Sequence, residues 1–185
     1  LVLWCSSGLI HTYLSLFGPQ QQVFQAPQRP LQLQGMKPIA DTLRQAQIDQ
    51  VSMVRIVVGE DENLLQVTQD AGQARRYFRL SDGLELKDQD YKQALFLARH
   101  FMGLPETPVH EVRKISDFTG EYPSVNRLLP VYRVSFDNDD DTVVFVYTET
   151  GVLAGVNNRL KSQLQTVFRY LHSASWLGEI NEVVR

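Results

Sequence analysis

The chain has 185 residues, 43% of them hydrophobic, and a formal net charge of −3, which argues for a folded domain of ordinary size and against disorder. That charge argues against nucleic acid as a partner, which needs a clustered basic surface to neutralise phosphates. A single cysteine, Cys5, excludes an internal disulfide framework and a cysteine-based zinc centre.

The first 28 residues contain no Lys, Arg, Asp or Glu, and residues 1–17, LVLWCSSGLIHTYLSLF, are mostly apolar. A spanning helix needs about 20 such residues, and the run lacks the basic start and small-residue cleavage site of a signal peptide. It is expected to form the last turns of a membrane helix; the alternative is a core helix or strand of a globular domain. Ser6, Ser7 and Gly8 suit close helix packing in lipid, and Trp4 and Tyr13 are of the interface-belt type. Residues 18–35 form a connector. The stretch 18–38 holds four prolines and seven glutamines, so it is expected to be extended, with Val23–Phe24 and Leu31–Leu33 docked on the domain.

Two similar units follow, over 36–88 and 90–157. In the first, Ile39, Leu43 and Ala46 mark a short helix, and VSMVRIVV (51–58), LLQVT (64–68) and ARRYFRL (74–80) mark strands. In the second, Asp90 is the expected N-cap of a helix that Gly103 ends. Tyr91, Leu95, Ala98 and Met102 share one face of it at helical spacing. Strands are expected at VHEVRKI (109–115), VYRVSF (131–136) and TVVFVY (142–147). Tyr132, Val134 and Phe136 alternate with Arg133 and Ser135, as in a half-buried strand. The acidic run FDNDDDT is a hairpin turn rather than a calcium loop, for it lacks the central glycine and distal glutamate of an EF-hand. RYFRLSDGLEL (76–86) aligns with VFVYTETGVLA (144–154), each passing through a polar turn at Gly83 or Gly151.

The expected class is therefore α+β: two tandem units, each a helix on a small antiparallel sheet, with membrane-proximal helical ends. One continuous α+β domain without duplication predicts the same local elements. Beyond the second unit, residues 158–185 are expected to be an amphipathic helix leading to a further membrane segment. Asn157 or Asn158 caps it, Leu160, Leu164, Val167, Phe168 and Leu171 form its apolar face, and Arg159, Lys161 and Arg169 decorate the rest.

LPVYRVSFDNDDDTVVFVYTETGVLAG (129–155), the tail FRYLHSASWLG (168–178) and SGLIHTY (7–13) together resemble the PepSY family, and more closely the PepSY-associated membrane proteins. The resemblance spans nearly the whole chain. It departs at Tyr147, where the family often has an Asp four residues before the turn glycine, so no role of that Asp transfers. It implies a periplasmic loop between two membrane helices of a bacterial inner-membrane protein. Some relatives serve iron uptake and ferric-siderophore reduction, with haem held by membrane histidines; others restrain secreted peptidases.

Among the histidines, His100 and His110 are expected to be structural or solvent-exposed. His11 and His172 lie near the two ends that approach the membrane, and they are the candidate haem-binding residues of the intact protein. The alternatives are an interhelical hydrogen bond for His11 and a helix C-terminal cap for His172. No haem is expected on the isolated fragment. No phosphate loop, GxSxG elbow, HExxH pair or CxxC occurs, so no catalytic residue and no metal ligand is assigned. Two function classes remain. One is the extracytoplasmic part of a membrane redox protein handling a ferric siderophore. The other is a binding module without chemistry that regulates a periplasmic peptidase or senses a ligand. The second would use the sheet edges and the loop 116–130, where Phe118, Tyr122 and Arg127 are the candidate partner contacts. Membrane lipid is the expected partner at both ends.

Overall fold

The computed structural model describes residues 2–70 and 72–173. The fold is α+β, as the hydrophobic patterning indicates. In chain order it runs α1 (Val2–Phe17), α2 (Ile39–Gln45), β1 (Met53–Val58), β2 (Asn63–Thr68), β3 (Arg76–Arg79), α3 (Gln89–Met102), β4 (Val109–Ile115), β5 (Val131–Phe136), β6 (Val143–Tyr147), β7 (Val152–Asn157) and α4 (Arg159–Ser173). The strands form two antiparallel meanders, β1-β2-β3 and β4-β5-β6-β7. β7 is the one strand the sequence leaves as a short apolar stretch, because Gly155 interrupts its pattern.

Each sheet is covered by the helix that precedes it. Ile39, Leu43 and Ala46 of the α2 region pack on Leu65, Val67 and Phe78 of the first sheet. Ala94, Leu97, Ala98, Phe101 and Met102 of α3 pack on Tyr132, Val134, Phe136, Val144 and Val156 of the second. The other face of the second sheet is not left to water: Tyr122 from the loop after β4 joins Ile115, Val131, Val143 and Phe145 there. This explains why Ser135 is buried although it alternates with core residues.

Two helix assignments change. The N-cap of α3 is Asp88 rather than Asp90, and Asp90 is a buried residue of its first turn. The buried stripe accordingly runs through Asp90, Gln93, Ala94, Leu97, Ala98 and Phe101, which turns Tyr91 outward to 42% exposure. Gly103 ends the helix as expected, at φ 63°, with Leu104 N donating to Arg99 O at 3.1 Å. The connector also differs. Phe24 and Leu33 are 77% and 70% exposed, and polar bonds hold the segment instead. Gln22 N and Val23 N donate to Phe101 O at 2.8 and 3.0 Å, and Arg29 Nη2 donates to Glu60 O at 2.7 Å.

The aligned segments 76–86 and 144–154 fold alike. Gly83 N donates to Arg79 O and Gly151 N to Tyr147 O, both at 3.0 Å, with φ of 72° and 70° at the glycines. Phe78 bridges Glu85 just as Val146 pairs with Leu153. The surroundings differ, however. A Cβ on Gly83 would lie 2.8 Å from Thr42 Oγ1, whereas one on Gly151 meets nothing within 4 Å. Gly151→Ala should therefore cost about 1 kcal/mol from its left-handed backbone alone. Gly83→Ala should cost clearly more, because it also displaces α2. Urea unfolding of the two variants checks the order.

Candidate functional site

The first and last helices lie side by side. The chain enters the domain along α1 and leaves it along α4, and residues of the last three turns of α1 face the first two turns of α4. Leu9, Ile10, Thr12, Tyr13, Leu16 and Phe17 line a cleft of about 620 Å³ with Leu160 and Leu164. Among its lining groups, the Thr12 hydroxyl is satisfied within its own helix, donating to Gly8 O at 3.1 Å. Tyr13 and Phe17 pack one turn apart, their rings tilted by 38° with centroids 4.9 Å apart.

The apolar character extends beyond the cleft. Leu9, Leu16 and Phe17 are 71%, 65% and 65% exposed, and Val167 on α4 is 46% exposed. Leu9, Leu16 and Phe17 all border that cleft, so they are grouped rather than singly scattered. α1 carries no charged residue. The basic residues of the first turn of α4 are turned back to the domain. Arg159 pairs with Asp141 at 2.7 Å. Lys161 Nζ donates to Val156 O at 2.5 Å, and burial lowers its pKa. Lys161 thus differs from its expected place on an exposed polar face. The foot of α4 is further fixed by Asn158, whose Oδ1 accepts Lys161 N at 2.8 Å, the capping role expected of it. No helix among the described residues is long and apolar enough to cross a membrane.

His11 lies in α1 and His172 in α4; their side chains, with Trp176 and residues 174–185, fall outside the described residues. Among the described residues no group of three His, Cys, Asp or Glu is placed to hold a metal ion. His100 Nε2 donates to Gln25 O at 2.8 Å, and His110 lies exposed on β4, a structural and an exposed histidine respectively.

Of the loop residues, Tyr122 is fully buried. Its hydroxyl donates to Leu128 O at 2.9 Å and its ring lies 4.7 Å from that of Phe145. It anchors the loop and offers no surface to a partner. Phe118 rests on it at 6.0 Å and is 41% exposed, and Arg127 is exposed, so these two remain at the surface.

No family model, no curated protein and no solved structure matches the chain. The site therefore has to be argued from its own chemistry, and a second feature of that chemistry escapes the sequence. A polar seam joins the two sheets. Gln66 Nε2 donates to Tyr77 Oη at 2.7 Å and to Thr148 O at 2.8 Å. Tyr77 donates to Asp90 Oδ1 at 2.9 Å, and Asp90 Oδ2 accepts Arg75 N at 3.1 Å. The Arg75 guanidinium, 1% exposed, pairs with Glu149 at 3.1 Å and lies over the Tyr147 ring. Gln66 within the apolar run LLQVT is the signal that marks this seam in the sequence.

Burial, with Asp90 beside both phenols, raises the pKa of Tyr77 well above its ordinary value, and that of Tyr132 likewise. A raised folded-state pKa contributes stability that is complete below the unfolded value, about 10 for tyrosine, and is lost as pH rises past it. The protein should accordingly lose stability above about pH 10, and Tyr77→Phe should flatten that fall. Urea midpoints measured alongside tyrosinate absorbance across the alkaline range check the slope.

Proposed function

We propose that this chain is the extracytoplasmic PepSY-type part of a bacterial inner-membrane protein, held at the periplasmic face by the α1–α4 stem. The observation that supports this reading is the stem itself: two adjacent helices that leave Leu9, Leu16, Phe17, Leu160 and Val167 exposed around an apolar cleft, with Arg159 and Lys161 bonded back to the domain. Such a surface is costly in water and matches hydrocarbon. In this reading the two α+β units are tandem copies, and the shared turn at Gly83 and Gly151 supports that.

The domain is a non-catalytic module that presents a periplasmic ligand to the membrane. For the redox form of the reading, haem bound by the intact protein would supply electron transfer toward a ferric siderophore. His11 and His172 would then be ligands, with further ligands supplied by membrane helices of the intact protein. A visible spectrum of the full-length protein in membranes tests this form: a Soret band lost in His11→Ala or His172→Ala supports it, and a colourless protein removes it. The stem is tested separately. Leu16→Asp with Phe17→Asp should abolish co-flotation of the chain with phospholipid vesicles while leaving the circular dichroism of the sheets intact. Undiminished flotation would contradict a lipid-facing stem.

A further inference from the structure

The four sheet edges are treated unequally. The hairpin after β1 closes with Gly59 N donating to Glu62 O at 2.9 Å. In an antiparallel ladder the bonded pairs alternate from that point. In the register of β1 with β2, Val57–Leu64, Arg55–Gln66 and Met53–Thr68 therefore exchange hydrogen bonds. The N–H and C=O groups of Val54, Ile56 and Val58 must then point away from the sheet. Gln93 Nε2 takes Val58 O at 2.8 Å. The remaining outward groups, those of Val54 and Ile56 and the N–H of Val58, have no partner among the described residues.

The other edges are blunted. β3 is closed by the Phe78–Glu85 bridge, and Leu86 N donates to Tyr77 O at 2.8 Å. β4 carries His110, Glu111, Arg113 and Lys114, with a register shift between Val109 and Glu111. On β7 the outward carbonyl of Val156 is taken by Lys161, and the register shifts at Phe145/Val146. Charges, bulges and covering groups are the devices that keep a strand from pairing with another chain. β1, MVRIVV, has one charge, and Arg55 is already committed to Glu149 O at 2.7 Å. Beside this edge lies a slot of about 160 Å³, lined by Ala26, Pro27, Gln93, Thr148 and Gly151 together with β1. Neither Ala26 nor Pro27 makes a main-chain hydrogen bond to β1.

We propose that the β1 edge is a binding site for an extended segment of another polypeptide, which adds as a fourth strand to the first sheet. Alternating donors and acceptors on Val54, Ile56 and Val58 are complemented by a second main chain and by little else. Side chains set the preference. Ile56 is 38% exposed on the face that packs against α2, so the segment carries apolar residues at every second position. This inference stands apart from the membrane stem and survives or fails without it.

The test titrates the chain with a probe peptide of alternating threonine and valine, a lysine at each end, and follows amide hydrogen exchange by NMR. Saturable binding is expected, with new protection at the Val54 and Ile56 amides and no change at Arg55 and Val57. Ile56→Pro, which removes an outward N–H and leaves the ladder donors, and Ile56→Lys, which adds an edge charge, should each weaken binding at least about tenfold. The proposal is overturned by absence of saturable binding, by affinity unchanged in both variants, or by Val54 and Ile56 amides protected before peptide is added. A sedimentation shift showing that two copies pair through β1 would overturn it in favour of a self-contact.

Discussion

Asp90→Ala should lower the unfolding free energy by about 3–5 kcal/mol. The carboxylate is 4% exposed and accepts the Tyr77 hydroxyl at 2.9 Å and Arg75 N at 3.1 Å. Removing it strands two buried donors, the Tyr77 hydroxyl and Arg75 N, in the seam between the sheets. The magnitude separates two roles for this residue. As a helix N-cap it would be worth about 1 kcal/mol; as the centre of a buried network it is worth several times that. Asp90→Asn, which keeps acceptor oxygen but not the charge, should fall between. Urea unfolding followed by far-ultraviolet circular dichroism measures both, and a loss near 1 kcal/mol for the alanine variant would restore the simple capping role.

Tyr122→Ala should cost a similar amount, about 3–5 kcal/mol, from lost apolar burial and the cavity left behind. Tyr122 is the side chain through which the loop 116–130 covers the outer face of the second sheet, packing on Phe145 at 4.7 Å. Around it, Glu121 holds Arg133 through two bonds of 3.0 Å, and Glu121 O accepts Asn157 Nδ2 at 3.1 Å. Tyr122→Phe removes only the bond to Leu128 O and should cost about 1 kcal/mol. The same pair separates packing from recognition. A residue that contacts a partner directly would give a binding defect with little change in stability, whereas Tyr122→Ala should unfold the chain at lower urea.

The parts of this fold that are legible in the sequence are those fixed by local chemistry. Val109–Ile115 and Val131–Phe136 are strands at the bounds their alternation sets. Gly103 ends α3, Asn158 caps α4, and the acidic run before Thr142 is a turn. What stays hidden depends on a second element. Asp90 looks like a cap because its sequence neighbours suit one, and its partners Tyr77 and Arg75 come from a strand and loop of the other sheet. Phe24 and Leu33 look like docking residues because they are apolar, yet main-chain bonds to Phe101 and a guanidinium bond to Glu60 position the connector. The stem is half legible. Its uncharged first helix is plain from composition, but its contact with Leu160 and Leu164 follows only from where β7 ends. The free edge of β1 is not legible at all, since strand order and register decide which main-chain groups face outward.

The lipid-facing stem is tested most directly by its depth in a bilayer. Nitroxide labels placed one at a time at Leu9, Leu16 and, as a reference in the exposed turn after β3, Leu84 would be compared in phospholipid vesicles. Their collision rates with oxygen and with a water-soluble nickel complex report the depth of each. The account predicts oxygen-dominated relaxation at Leu9 and Leu16 and nickel-dominated relaxation at Leu84. Equal access of nickel to all three positions would contradict it.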